Sequence, residues 1–313
     1  MGAHLGFGPG LGPAKTGAMS FRLEMLQVAR LAPQMLGDAT GLVRQYLERQ
    51  VLECGAFPDR EGRPDLYYTV FGIEALLALH TEPEWPNLSA WLDTFGDGEG
   101  MDFIHLCCLI RCHAATGKLA RWPAEGRERM LARIDEWRTP DGGFNQRKGA
   151  PRCTAYGCLL GWAAYQDLQA PLPSVDTLTA CLQSLAVPAG GYGNEPGMPL
   201  GTVPATAAAV SLFRHLRRTP PPDTGAWLLA QQHPGGGFLA APGAPLPDLL
   251  STAVALHALD GMQVSFAKYK ESLLDYIDTL WSAEGGFHGH WAEDILDVEY
   301  TYYGLLALGH LAL

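Results

Sequence analysis

Six glycine-and-aromatic turns divide this chain of 313 residues at nearly constant intervals, and no other feature constrains its fold so tightly. They are Gly55-Ala56-Phe57, Phe95-Gly96, Gly142-Gly143-Phe144, Gly190-Gly191-Tyr192, Gly236-Gly237-Phe238 and Gly285-Gly286-Phe287. From Phe95 onward the aromatics recur every 46 to 49 residues, a period that marks a stack of equivalent supersecondary units. Each turn runs through a short loop into an apolar segment. Those segments carry Thr69, Leu106, Thr154, Thr206, Thr252 and Thr301 at one position, with Asp65, Asp102, Ala150, Thr202, Asp248 and Asp297 four residues earlier. Tyr68, His105, Cys153, Ala205, Ser251 and Tyr300 stand one residue before the threonine position.

Segments such as 205–212, 249–259 and 300–313 are apolar nearly all round and so predict buried helices, whereas 128–137 and 266–281 have mixed faces and predict helices half in water. The β-branched alternation of propeller blades is missing, and the Gly-Gly-aromatic turn is foreign to HEAT solenoids. The expected fold is all-α: a six-repeat α/α-barrel (an α6-α6 toroid) over residues 20–313, with six inner helices inside six outer ones. The Gly/Pro-rich stretch 1–19 reads as a flexible lead-in. A hydrophobic content of 47% suits one large core, and no run reaches the ~18 apolar residues that cross a bilayer. A net charge of −11 without a basic stripe argues against nucleic acid. Seven scattered cysteines without a leader pattern fit a reducing cytoplasm.

The Gly-Gly-Phe/Tyr turn followed by Asp-x-x-[Tyr/His/Ser]-Thr resembles the repeat of protein farnesyl- and geranylgeranyltransferase β-subunits and of squalene-cyclase repeat proteins, over about residues 54–313. That resemblance implies a prenyltransferase with zinc ligands at Asp248, Leu250 and Tyr300. Leucine cannot bind the metal and neutral tyrosine binds it poorly, so zinc is not expected there. The segment 241–247, where the family places cations for a diphosphate, has none. Arg152 matches an arginine of the family's peptide-binding wall. A relocated metal stays open at Asp102, His105 and Cys153, and the acidic run 293–297 leaves magnesium open at Asp294 and Asp297.

An aromatic stripe at helical spacing is usually core. In a barrel it also lines the centre, so Tyr67, Tyr68, Phe71, Tyr156 and Tyr303 are expected to face a cavity opposite Ala205 and Ala208, with His105, Arg152 and Cys153 completing the substrate set. Asp248, Asp297 and Tyr300 are the candidate catalytic groups. The reading is a zinc-independent, prenyltransferase-like protein for an isoprenoid or isoprenyl diphosphate, with a peptide acceptor or a helical α-subunit-like partner. One alternative is a terpene cyclase that uses Asp297, Asp294 or Asp248 as its acid, since the Asp-x-Asp-Asp motif is missing. Another is a non-catalytic protein-binding scaffold.

Overall fold

Outer and inner helices alternate along almost the whole chain. The computed structural model describes residues 20–81, 85–172 and 174–313, with the backbone alone at 120 and 121; the expected lead-in 1–19 lies outside them. Helices α1 (Phe21–Ala29) and α2 (Pro33–Leu36) come first. The six pairs follow, outer before inner: α3 (Thr40–Gln50) and α4 (Leu66–Ala78), α5 (Pro86–Asp93) and α6 (Phe103–Ala115), α7 (Ala124–Asp135) and α8 (Ala155–Asp167). Then come α9 (Val175–Ser184) and α10 (Val203–His215), α11 (Thr224–Leu229) and α12 (Leu249–Gly261), α13 (Lys270–Thr279) and α14 (Val298–Ala312). Each inner helix packs on the next, and α14 returns to α4, so the ring closes as the periodicity predicts.

The repeat residues build the start of each inner helix. Asp65, Asp102, Thr154, Thr202, Asp248 and Asp297 are the N-caps, each accepting a hydrogen bond from an amide of the first turn and so satisfying a donor that has no partner within the helix. Thr69, Thr206, Thr252 and Thr301 do a second job. Their hydroxyls accept from the amides of Phe57, Tyr192, Phe238 and Phe287, which ties each glycine turn to the helix it precedes. Two-residue antiparallel ladders brace two of these turns, β1 (Phe57–Pro58) with β2 (Pro64–Asp65) and β3 (Phe238–Leu239) with β4 (Pro247–Asp248). The turn aromatic is buried against the inner helix, where glycine is required: a Cβ on Gly72 would sit 2.4 Å from the Phe57 ring, and one on Gly161 2.5 Å from Phe144.

The third repeat corrects the sequence alignment. Thr154 is the cap, not the turn-binding threonine, since its hydroxyl accepts from Gly157 N at 2.9 Å. Counting from that cap, Cys158 occupies the position of Thr69 and Gly157 that of Tyr68 and His105, while Ala150 lies back in the loop. Threonine caps a helix as readily as aspartate, so the Thr-x-x-Gly-Cys sequence supports either register until the hydrogen bonds decide.

Helix α1 was not foreseen. It packs against α14, α4 and α8 and closes the end of the ring away from the capped N-termini. Phe21 packs edge-on against Trp162, His215 and His257, and its amide donates to Gln166 Oε1 at 2.9 Å. No described helix is long and apolar enough to cross a membrane.

Candidate functional site

Inside the ring is a cavity of about 690 Å³. Tyr67, Tyr156 and Tyr303 form one wall; Pro204, Ala205, Ala207 and Ala208 form a shallow wall opposite, and Phe21 and Met25 of α1 make the floor. A deeper chamber of about 140 Å³, reaching Phe71 and Tyr302, shares Phe21, Met25, Tyr67, Tyr156 and Tyr303 with it. The aromatic-against-alanine arrangement expected from sequence is therefore present. It arises because an inner helix without a polar face must point one side at the ring centre, and α10 offers little there beyond methyl groups.

The mouth is polar. His105 donates through Nδ1 to Asp102 Oδ2 (2.7 Å) and bridges through Nε2 to Asp65 Oδ2 (3.1 Å). The hydrogen bond that His105 donates to Asp65, reinforced by Asp102 against burial, pushes the imidazole up to about 9, so it is a cation at neutral pH. Burial opposes the charge on Asp65, but His105 overcomes it and holds that carboxyl below its usual range. Tyr68, Asn194 and Thr202 complete the rim. Among the described residues of the rim, the one cation, His105, is thus already neutralised by two carboxylates.

Two residues escaped the sequence reading, Phe21 in the cavity floor and Glu299 behind the Tyr67 wall. Glu299 accepts from the Tyr67 hydroxyl at 2.6 Å, and burial, opposed by that bond, pushes its carboxyl up to about 7. Its partner lies across the closure of the ring, 232 residues away, which no local pattern could show. Phe21 did carry a signal: Ser20 as cap, with Phe21, Met25 and Ala29 at helical spacing on one face.

Several expected site residues lie elsewhere. Asp248 caps α12, and burial raises its carboxyl; it does not line the cavity. Asp297 is bound by Arg60 through Nε (3.1 Å) and Nη2 (2.8 Å), while its other oxygen takes the Tyr300 amide. Tyr300 sits beneath the same Arg60 guanidinium, 5.7 Å from its ring centre. A zinc at Asp248, Leu250 and Tyr300 does not fit: the cap is occupied, Leu250 lines the cavity, and the phenol is covered. Magnesium at Asp294 and Asp297 fits no better, because Asp294 is exposed while buried Asp297 is already neutralised by Arg60. Arg152 is exposed and faces Asp141 at 3.7 Å, outside the cavity. Cys153 is buried beside Cys158, Cys181 and Asp141, so it joins neither His105 and Asp102 nor the substrate wall. Both corrections follow from the third-repeat register.

No curated protein matches this chain. Among solved structures it is similar to Candida albicans protein geranylgeranyltransferase-I complexed with GGPP, with a TM-score of 0.68, 13% identity, and coverage of 87% of this chain and 90% of that one. The type II terpene cyclase MstE from Scytonema gives 0.59 at 13% identity over 89% and 97% of the two chains, and a glycosidase in complex with glucose gives 0.57 at 15% over 91% and 97%. These likenesses establish the fold and no more, since one fold carries several chemistries. A family model described as the prenyltransferase alpha-alpha toroid domain matches residues 22–105 and 209–312, and the chain belongs to that family.

Proposed function

We propose that this protein binds an isoprenoid chain in the central cavity, tail towards α1 and head at the His105 mouth, without a zinc at the family position. The carrying observation is the 690 Å³ apolar chamber between tyrosines and alanines, within the ~300–1,000 Å³ of ordinary ligand sites. Structures similar to it hold such ligands: the Candida albicans transferase is complexed with GGPP, and a variant of the Scytonema cyclase holds geranylgeranyl dihydroxybenzoate as substrate. Seven free cysteines agree with a cytoplasmic setting.

The mouth favours an uncharged head over a diphosphate. Among the described residues its cation, His105, is shared by Asp65 and Asp102, and Arg60 is committed to Asp297 and Glu293. An uncharged isoprenoid carries no leaving group, so the mouth supports holding the chain more than transferring it. Arg152 lies away from the cavity and gives a peptide acceptor no support. A cyclase reading is weaker still, because Asp297 and Asp248 are occupied as caps, Asp294 is exposed, and Asp65, the carboxylate lining the main cavity, is held ionised and cannot protonate an alkene.

Native mass spectrometry of the purified protein and titration with geranylgeraniol and its diphosphate test the reading. Copurifying prenyl lipid is expected, with geranylgeraniol bound at least as tightly as its diphosphate. Affinity at least tenfold greater for the diphosphate would overturn the head-group assignment. Ala208→Trp or Ala205→Trp should fill the chamber and abolish binding while at least one of them melts within a few degrees of wild type, the shift worth ~1 kcal/mol at this size. Unfolding of both variants would mean that the centre is solid core, where overpacking costs ~1–3 kcal/mol or more.

A further inference from the structure

The third glycine turn differs from the others in what covers it. In three other repeats an aromatic ring from the following outer helix lies on the two glycines: Trp227 on Gly190 and Gly191, Tyr276 on Gly236 and Gly237, Tyr46 on Gly285 and Gly286. Over Gly142 and Gly143 the corresponding helix, α9, presents Thr177 and Cys181. Among the described residues no ring is a nearest neighbour of these two glycines. Cys153 from the residue before the α8 cap and Cys158 from the first turn of α8 point towards Gly143 instead.

Three potential ligand atoms converge there, with the Cys158 sulfur beside them. A Cβ on Gly143 would lie 2.9 Å from Cys158 Sγ and 3.3 Å from Cys181 Sγ, so those sulfurs are within about 6 Å of each other. The Cys153 and Cys181 sulfurs and an Asp141 carboxylate oxygen all lie within 4.8 Å of one another. Cys153 is also against Cys158, and the three cysteines are buried and free of disulfides. Asp141 is held in place by neighbours: Oδ1 accepts from Thr139 (2.5 Å) and Oδ2 from the Cys153 amide (3.1 Å). That is how ligating carboxylates are oriented in metal sites.

We propose that Asp141, Cys153, Cys158 and Cys181 form a structural zinc site that clamps the third glycine turn to α8 and α9. Three soft sulfurs with one oxygen suit a closed tetrahedral zinc; ligand sulfurs at ~2.3 Å from the ion would stand ~3.8 Å apart, so Cys158 must swing in towards the other three as the ion binds. Binding displaces the three thiol protons to solvent. None of the four residues lines the cavity, so the ion would act on stability and not on a bound isoprenoid. The site also lies two repeats from Asp248 and three from Tyr300, where the family zinc does not fit.

Metal analysis of protein purified under reducing conditions and reconstituted with zinc tests this. About one zinc per chain is expected, retained in Asp248→Asn, lost in the Cys153→Ser/Cys181→Ser double variant, and released by a mercurial reagent as about three thiols react. Cobalt substitution should give thiolate-to-metal charge-transfer bands, which report on the wild-type protein even if the double variant fails to fold. Zinc retained by the double variant, a site that stays empty after reconstitution, or a native disulfide among these cysteines would each overturn the proposal. Isoprenoid binding that survives zinc removal separates this outcome from the cavity reading.

Discussion

The two ends of the cavity are both charged, yet they are built differently. At the mouth, the carboxylates come from cap positions that the repeat supplies, and His105 sits between two of them with its side chain 38% exposed. At the floor, the charges come from the far ends of inner helices meeting α1. Arg22 lies 3.5 Å from Glu74 and 3.9 Å from Asp167, and Arg111 is 3.7 Å from Glu74. Glu24 is bound by Arg214 and by His215 (2.9 Å), with His257 at 3.4 Å and His310 behind it, 3.1 Å from His257. The mouth is wet and tolerates change; the floor is dry, and each charge there needs its partner.

The largest effect should come from breaking the floor. Phe21→Ala removes a buried ring packed against three others and should cost ~3–5 kcal/mol in urea unfolding. A loss under ~1 kcal/mol would mean that α1 only rests on the barrel.

Acid should then separate the two ends. Burial opposes the Glu24 charge, but His215 and Arg214 bring its carboxyl down to about 2 from an unfolded value of 4.5. Its stabilisation is therefore full above pH ~4.5 and disappears as pH falls towards 2. Burial also lowers His257 to about 4, with Glu24 opposing and Arg214 and His215 adding to the effect, so the folded state loses ground as pH falls from 6.5 to 4. Glu24→Gln should cost ~2–3 kcal/mol at pH 7, less than a fully buried partner loss, and almost nothing near pH 2. Unfolding curves of the two proteins that stay equally spaced down to pH 2 would contradict this.

The smallest effect belongs to the mouth. Because His105 is raised to about 9 from 6.5, its contribution is complete below pH 6.5 and is lost as pH climbs through 9. Solvent reaches this group, so His105→Gln should cost no more than ~1 kcal/mol at pH 6 and nothing measurable at pH 10. A cost of several kcal/mol would place the mouth with the floor.

The sequence by itself determined the ring. Glycine turns at a fixed period, capping aspartates, and the threonines that bind the turn amides are local interactions, repeated often enough to be read one unit at a time. The tyrosine and alanine walls followed, since burying an apolar helix inside a ring leaves one face at the centre. Only the tertiary structure decided which cap belongs to the third repeat, because Thr154 satisfies either register locally and Asn194, accepting from the Ala155 and Tyr156 amides, fixes it from the next repeat. It also decided that α1 closes the floor, that Arg60 neutralises Asp297, that Glu299 meets Tyr67, and that Cys181 joins Cys153. Each of these pairs residues far apart in the chain, through side chains whose partners are chosen by ring closure and burial and leave no periodic trace.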